Sequence, residues 1–555
     1  MIGRRLAGLA LLLVLLVAGA CAAPPEPEDA AGQVPPSRRT AAFQPDELQQ
    51  ALLAELGALR PTLASAEARD LAALYGGTPS VLWMDAAANV SPAARSATDL
   101  VARAAEDGLD PDDYSASELT ALTASLDGPT PVPAAMAARF DALLSSAVLR
   151  YLRHLHLGRV DPRTLGWQMT VPVEGHDFAA VAREAIAAGA IGPAAANLAP
   201  ALTQYAALKR ALADYRHLAA AAPPAPTFTA TVKPGEPLPD GPALHRRLVA
   251  LGDLPGDAPA PAAGIYDDTL RAGVARFQER HGLEPDGVIG RTTQDALGVP
   301  LTWRVRQIEL ALERLRWLPD MSGRLIAVNI PMFQLFAWNA VPSSNPPALT
   351  MRVVVGRALD TRTPVFAERL QHVIFRPFWN VPTSIARGEI LPNIRKTPDY
   401  LEREHMELVR GAMDASPVIE PTSDHLARVG RDGIRIRQRP GPANALGLVK
   451  FLFPNQNDVY MHDTPATQLF ARARRDFSHG CIRVEDPTAL ASWVLGWSPA
   501  DVRGAMQGTD NRRVDLANPV QVVIFYTTAA VDPTTGVARF AADVYRQDGV
   551  LDKAL

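Results

Sequence analysis

The sequence has little of what would place it in several common classes of protein. Its 555 residues contain only 2 cysteines, Cys21 and Cys481, so no network of disulfides is available to the chain. The formal net charge of −4 shows no basic excess, and nothing therefore indicates nucleic acid as a partner. After residue 21, no apolar run is long enough to cross a membrane. The length predicts several domains rather than one core.

The N-terminal segment has the pattern of a secretory signal, which we assign to residues 1–21. Two arginines precede an apolar run over residues 6–17, which is too short to span a bilayer comfortably, and small residues follow it. Two processing routes stay open: acylation of Cys21 as in a lipoprotein, or plain signal-peptidase cleavage beside it. Both predict the periplasm or cell envelope, and the first adds a lipid anchor. In either case Cys481 is left without an intrachain partner.

Periodicity and turn signals divide the rest of the chain into an α+β multidomain protein. Proline-rich residues 22–42 are expected to form a disordered tether. Leucines at three- and four-residue spacing, such as Leu48, Leu52 and Leu56, predict a helical scaffold over residues 43–220. The remaining segments are a linker over 221–239, a small helical module over 240–299, a mainly β domain over 302–530 and a C-terminal extension over 531–555.

The small helical module carries three sequence marks in a fixed order. They are Gly264 to Thr269, Phe277-Gln278 with Gly282-Leu283, and Asp286-Gly287 with Gly290 and Thr293. With these marks the segment resembles the three-helix peptidoglycan-binding module. We expect most of these residues to cap helices and to pack the core of the module.

Residues 302–530 change to short β-branched runs separated by Pro and Gly turns, which predicts antiparallel strands. The runs cover residues 325–330, 333–338, 351–355, 371–375, 459–461 and 519–526. Residues 386–447 interrupt this rhythm with a helix-like stretch over 398–409 and a return rich in Gly and Pro. We expect an inserted lid there, because long insertions next to a site often cover it.

The chemistry of the sequence is concentrated around Cys481. A thiol becomes a competent nucleophile when a nearby imidazole or positive field favours the thiolate, and an adjacent base then serves acyl transfer. His462 ends a predicted strand upstream, and His479 stands two residues before the thiol. Gly480 permits close backbone approach, so amides around Cys481 are candidates for an oxyanion site.

The string Ser478-His-Gly-Cys-Ile-Arg-Val484, preceded by His462-Asp-Thr464, resembles the signature of L,D-transpeptidases (YkuD-like catalytic domain). The order of scaffold, wall-binding module and catalytic domain with a lid resembles the large YcbB-like branch of that family. The resemblance implies that Cys481 is the nucleophile and His462 its general base. It also implies that Ser478, His479 and Gly480 shape the oxyanion region.

The same resemblance implies three substrate-binding residues. Tyr460 and Trp379 would flank the pocket of the donor, and Arg483 would hold substrate or brace the catalytic loop. For Trp379, packing in the strand remains an alternative to stacking on substrate. For Arg483, a structural ion pair remains an alternative to a substrate contact.

The reaction that the resemblance implies is acyl transfer from a tetrapeptide peptidoglycan stem to an amine acceptor, giving a 3→3 cross-link. It requires no metal or organic cofactor, and it makes the protein a target of carbapenems. A zinc site from His372, His462 and His479 is not expected, because these residues lack the spacing of metal ligands. Two alternatives stay open: an L,D-carboxypeptidase that trims stems, and a non-catalytic peptidoglycan-binding lipoprotein. The acceptor, the partner synthases and the oligomeric state are not set by the sequence.

Overall fold

The computed structural model describes most of the chain after residue 43. The described residues are 44–77, 79–85, 89–128, 131–169, 176–261, 264–342, 345–358 and 361–555. The secretory signal, the tether and Cys21 lie outside this range. Within it, the structure contains no helix with the length and apolar character that a membrane crossing requires.

Among the described residues, eight α-helices form the N-terminal scaffold, as the leucine spacing predicts. They are α1 Pro45–Leu59, α2 Ser65–Tyr75, α3 Pro92–Ala102, α4 Ala116–Asp127, α5 Ala134–Leu157, α6 Phe178–Ala188, α7 Ile191–Leu198 and α8 Thr203–Ala221. Polar N-caps start several of them, and Ser91 and Asp177 each accept a hydrogen bond from a backbone N–H of the first turn. The apolar faces pack around α5, the longest of these helices.

The small module consists of three helices, α9 Gly241–Ala250, α10 Asp268–Arg280 and α11 Arg291–Leu297. Its sequence marks support the turns, as expected. The Gln278 amide donates to the carboxylate of Asp286 and to the carbonyl of Val288, and its own oxygen accepts from the N–H of Gly287. The Tyr266 hydroxyl donates to the carbonyl of Gly287 at 2.5 Å. These bonds hold the turn between α10 and α11 against the core.

Helix α12 (Leu301–Arg316) leads into the β domain, whose elements are the following. The strands are β1 Gly323–Asn329, β2 Gln334–Val341, β3 Leu349–Gly356, β4 Phe366–Phe375, β5 Trp379–Asn380, β6 Met406–Arg410, β7 Val418–Ile419, β8 Ile434–Gln438, β9 Val449–Leu452, β10 Met461–His462, β11 Asp476–Ser478, β12 Ile482–Val484, β13 Arg512–Phe525, β14 Ala529–Val531 and β15 Ala538–Phe540. The helices are α13 Thr383–Ile385, α14 Leu391–Lys396, α15 Tyr400–Arg403, α16 Ser423–Ala427, α17 Pro487–Leu495, α18 Pro499–Met506 and α19 Gln547–Ala554.

The main sheet has 9 strands in the order β11-β3-β12-β10-β9-β4-β13-β1-β2, and pairing of β2 with β3 closes it. Strands β1, β3 and β4 appear where the β-branched runs predict them. The expectation of antiparallel pairing is wrong for three pairs, because β1 with β13, β10 with β12, and β3 with β11 are parallel. Local sequence patterns define strands but not their partners, which closure of the sheet decides here.

The insertion is a small subdomain with its own core. Strands β5, β8, β6 and β7 form a separate sheet, and residues such as Ile390, Leu408 and Ile436 pack beneath it. The helix expected over residues 398–409 ends at Arg403, and the rest of that stretch is strand β6. Trp379 belongs to this smaller sheet through its pairing with Gln438, so the subdomain begins before residue 386.

The C-terminal segment connects the modules. Phe540 of β15 contacts Tyr215 of the scaffold and His281 of the three-helix module, with ring centroids 5.1 and 5.6 Å apart. On α19, Asp548 forms an ion pair with Arg314 of α12 at 2.6 Å, and both side chains are fully buried. Residues that the sequence suggests only as an extension therefore complete the packing between earlier parts of the chain.

Candidate active site

The catalytic loop is the tight connection between β11 and β12, and Ser478 holds its shape. The Ser478 hydroxyl donates to the carbonyl of Cys481 at 2.5 Å and accepts from the N–H of Gly480 at 3.1 Å. Gly480 has a φ of 115°, a backbone conformation that side chains other than hydrogen disfavour. The structure thus places Ser478, Gly480 and Cys481 in one turn, with Ser478 buried and Cys481 partly exposed.

A second layer of hydroxyl groups braces this turn from the strand side. Thr363 donates to the carbonyl of Gly480 at 2.8 Å, and Thr361 donates to that of Ser478 at 3.1 Å. Tyr545 in turn accepts from the N–H of Thr363 and donates to the carbonyl of Gly356 at 2.6 Å. The sequence gives no sign of these three bracing residues, because they lie far from the loop along the chain.

The sulfur of Cys481 lies beside Tyr460 and Asp458. Its thiol is positioned to donate to the carbonyl of Asp458, with the sulfur 3.8 Å from that oxygen. Burial raises the pKa of the Cys481 thiol above its ordinary value, although hydrogen bonds from the backbone and hydroxyl of Tyr460 oppose that rise. The resting group is therefore a thiol at neutral pH, and Tyr460 is the residue that solvates the sulfur.

His462 is buried and uncharged. Its Nδ1–H donates to the carbonyl of Asp463 at 2.5 Å, which leaves Nε2 without a proton and free to accept one. Burial and the nearby positive charge of Arg483 lower the pKa of His462 to about 3. Among the described residues no hydrogen bond joins His462 to the Cys481 sulfur; the imidazole instead packs edge-on against Tyr460, with ring centroids 5.7 Å apart.

Strand pairing explains why these residues meet. The parallel register of β10 and β12 sets Met461 opposite Ile482 and His462 opposite Arg483, and the Ile482 N–H donates to the carbonyl of Tyr460 at 3.0 Å. Residues opposite each other in a sheet share a face. The base candidate and the segment after the nucleophile are therefore fixed by the main sheet.

Trp379 and Tyr460 form the contact between the main domain and the base of the lid. A hydrogen bond with the Trp379 side chain limits the rise in pKa that burial imposes on Tyr460. Trp379 also packs against the core of the lid subdomain. Both roles considered for Trp379, packing in a strand and flanking a pocket, are thus compatible with its position.

The lid reaches the catalytic loop through His479. The Nε2–H of His479 donates to the carboxylate of Glu389 at 2.7 Å, and Glu389 lies in the π-helical turn Ala386–Ile390. The His479 side chain therefore points to the insertion, whereas His462 lies on β10, the strand that pairs with β12. The sequence does not suggest Glu389, since a charged residue in an insertion normally faces solvent.

Other candidate features lie apart from this site. His372 pairs with Asp515 on neighbouring strands, and His154 accepts from or donates to the Tyr114 hydroxyl within the scaffold. Within the part of the chain that the structure describes, no group of acidic, His or Cys side chains has the arrangement of a metal site. A cavity of about 840 Å³ lies between α8, β14 and residues near Gly252, and neither Cys481, Tyr460 nor His462 lines it.

A partly exposed thiol next to a phenol, with a neutral imidazole packed against that phenol, is the composition of a cysteine-nucleophile site. Comparison with known proteins specifies the class. Residues 323–522 match the family described as "L,D-transpeptidase catalytic domain", residues 69–212 match "Scaffold domain", and residues 240–297 match "Putative peptidoglycan binding domain". The chain therefore carries an L,D-transpeptidase catalytic domain, a scaffold domain and a peptidoglycan-binding domain, in agreement with the resemblance seen in the sequence.

A curated relative, "Putative L,D-transpeptidase" of Haemophilus influenzae, is 29% identical over 253 residues, which is 45% of this chain and 49% of the relative. The chain thus aligns with about half the length of that relative. A solved structure of L,D-transpeptidase 3 from Mycobacterium tuberculosis, in complex with a faropenem-derived adduct, covers 37% of this chain and 60% of its own, with 13% identity and a TM-score of 0.17.

Proposed function

We propose that this protein is a cell-wall L,D-transpeptidase that forms 3→3 peptidoglycan cross-links through a thioester on Cys481. The observation that carries the proposal is the Cys481 thiol beside Tyr460, whose ring packs against His462, inside an L,D-transpeptidase catalytic domain that shares its chain with a peptidoglycan-binding domain. The donor is a tetrapeptide stem, and the acceptor is the amine of a second stem. Both domains are consistent with action in the cell envelope or periplasm.

In the first step the sulfur bonds to the carbonyl carbon of the third donor residue, and the bond to the terminal D-alanine breaks. His462 accepts the thiol proton at Nε2 and delivers it to the leaving nitrogen, so D-alanine departs as an amine. Catalytic hydrogen bonds often form only when substrate is bound, and the proton transfer requires such an approach of His462 to Cys481.

The tetrahedral intermediate places negative charge on the former carbonyl oxygen. The N–H of Gly480 is engaged by Ser478, whereas the N–H of Cys481 has no acceptor among the described residues. We assign the oxyanion to the Cys481 N–H. Ser478 and Gly480 then act by holding the turn that aims this group.

In the second step the acceptor amine bonds to the thioester carbon, and the carbon–sulfur bond breaks. The proton of the amine returns to the sulfur through His462, so the free enzyme is regenerated without any oxidant, reductant or cofactor. The lid and its contact at His479 reduce the access of water, which competes with the amine for the thioester.

The test is incubation of the purified protein with tetrapeptide muropeptide, followed by mass spectrometry. Cross-linked dimers with loss of D-alanine support the proposal, and tripeptides without dimers would identify an L,D-carboxypeptidase instead. Cys481→Ala should abolish both products, and His462→Gln should lower kcat by about 10²- to 10⁴-fold. Turnover by the Cys481→Ala protein would contradict the assigned nucleophile.

Two further expectations accompany the function. A carbapenem should add its mass to the wild-type protein and not to Cys481→Ala. If Cys21 is acylated, a radiolabelled fatty acid should be incorporated into the protein isolated from wild-type cells and not into the protein isolated from a Cys21→Ala strain. Labelling of both strains would exclude Cys21 as the anchor.

A further inference from the structure

Lys450 lies in the catalytic site, although the sequence of its strand, β9, predicts only a core strand. It is on β9, where it is opposite His462 in the antiparallel register with β10. Its ammonium lies 3.8 Å from the centroid of the Tyr460 ring, and this phenol hydrogen-bonds to the Cys481 sulfur. A cation held on that ring is within electrostatic reach of the reacting thiol.

Lys450, His462 and Arg483 form a row across three adjacent strands. His462 is opposite Lys450 on one side and opposite Arg483 on the other, and cross-strand partners point to the same face of a sheet. The row therefore places two cations on either side of the neutral imidazole. Both cations act electrostatically on Cys481.

These two cations have no carboxylate partner in the free protein. Neither Lys450 nor Arg483 forms an ion pair with any described residue, and Nε of Arg483 is buried without a hydrogen bond. Asp414 and Asp458 act on Lys450 only from beyond ion-pair distance. Burial lowers the pKa of both cations, which shows that each charge is held at a cost that a bound anion would offset.

The donor supplies such an anion at the required place. In a tetrapeptide stem the C-terminal carboxylate belongs to the residue that leaves, one residue beyond the scissile carbonyl. One residue spans about 3.5 Å, so a carbonyl in contact with Cys481 brings this carboxylate to the neighbourhood of the row. A donor with a fifth residue would place an uncharged peptide there instead.

We propose that Lys450 and Arg483 form a subsite that binds the terminal carboxylate of the leaving residue and thereby selects donors that end one residue after the scissile bond. This inference rests on the proposed function. The structure assigns Lys450 a binding role that the sequence analysis does not give it. The charges of Lys450 and Arg483 also favour release of the fourth donor residue, but only when its C-terminal carboxylate is ionised and not part of a peptide or amide bond.

The experiment compares a tetrapeptide donor with the same peptide amidated at its C-terminus, and measures kcat/KM for release of the fourth residue. The wild type should prefer the free carboxylate by roughly 10- to 100-fold, the range for a charge-assisted hydrogen bond. Lys450→Met should lose most of this preference because it slows release from the acid much more than release from the amide, and Lys450→Arg should restore the preference. Lys396→Met, on the exposed surface of α14, is the matched control and should behave as the wild type.

The outcomes separate the inference from the proposed function. Equal use of the two donors by the wild type would overturn the subsite and leave the transpeptidase intact. An equal loss by Lys450→Met on both donors would also overturn it, since that pattern belongs to a residue that only supports the thiol or the fold. If the wild type releases the fourth residue from neither donor, the proposed function fails and the subsite fails with it.

Discussion

Glu389 of the lid accepts a hydrogen bond from His479, the residue two positions before the nucleophile, at 2.7 Å. The His479 side chain is 28% exposed and the Glu389 side chain is 52% exposed. Exposed pairs of this kind contribute about 0.2–1 kcal/mol. In the proposed lid role of the insertion, a contact of this strength would bias the closed position and still open when substrate enters.

Replacement of Glu389 by Ala tests this contact. We expect global stability to change by less than about 1 kcal/mol, whereas opening of the lid should increase by up to about fivefold. Hydrogen–deuterium exchange over residues 386–390 measures the opening, and the ratio of tripeptide to dimer measures the access of water. Glu402→Ala, an exposed change on α15, is the control and should alter neither. Unchanged exchange in Glu389→Ala would contradict a role of this pair in closure.

Replacement of Ser478 by Ala removes both bonds that hold the catalytic turn. The loss leaves the N–H of Gly480 and the carbonyl of Cys481 without their partner, so unfolding should become easier by about 1–3 kcal/mol. We also expect kcat to fall more than KM rises, because the turn aims the nucleophile. Ser492→Ala is a matched control, since that buried hydroxyl has no hydrogen bond in the structure and its loss should be close to neutral. Equal effects of the two changes on kcat would refute the role of Ser478.

Replacement of Asp548 by Ala leaves the guanidinium of Arg314 buried without its carboxylate. Breaking a buried pair in this way should destabilise the protein by about 3–5 kcal/mol, as measured by thermal or denaturant unfolding. Asp552, which lies on the same helix as Asp548, pairs with Arg306 of α12 at 2.6 Å, but its side chain is 37% exposed. Its change to Ala should cost about 1 kcal/mol or less. Similar losses for the two variants would show that burial of the Arg314 pair is not decisive.

The protein should lose stability in mild acid because of buried neutral histidines. Burial, reinforced by the nearby charge of Arg159, lowers the pKa of His154 to about 3, against an ordinary value of 6.5. Between these two values the unfolded chain binds a proton that the folded chain does not. The free energy of unfolding therefore falls by up to about 1.4 kcal/mol per pH unit as the pH drops from 6.5 toward 3.

The measurement is denaturant unfolding of the wild type and of His154→Gln at pH 7 and pH 5. The wild type should lose about 2 kcal/mol through this group over that interval, and the variant should lose correspondingly less. An identical pH dependence of the two proteins would show that His154 does not carry the effect. His462, whose pKa is also lowered to about 3, adds to the same trend in the catalytic domain.

The sequence predicts the order of modules and the identity of the main site residues because these depend on local signals. Helix periodicity, turn residues and the motif around Cys481 are each contained within short windows. The structure places Cys481, Ser478, Gly480, Tyr460 and Trp379 together, and it puts His462 at a strand end as expected. Their catalytic roles remain proposals that the experiments above test.

What the sequence does not reveal depends on contacts between distant segments. Glu389 meets the catalytic loop because the insertion folds back onto it, and Tyr545 of the C-terminal segment braces the loop through Thr363. The helix expected over residues 398–409 is replaced from residue 406 by strand β6, whose pairing with β8 outweighs the local pattern. For Lys450 the sequence does contain a signal, because a lysine inside the apolar run from Val449 to Phe453 is unusual for a core strand.

The packing of residues 526–555 makes function depend on the order of synthesis. Tyr545 braces the loop that carries Cys481, and Phe540 closes the junction of the two helical modules, yet both emerge from the ribosome after every segment that they stabilise. A chain interrupted between residues 482 and 525 would contain the nucleophile without this support. The turn that carries Cys481 therefore gains its outer brace only when the last 30 residues have been synthesised and have folded back onto the domain.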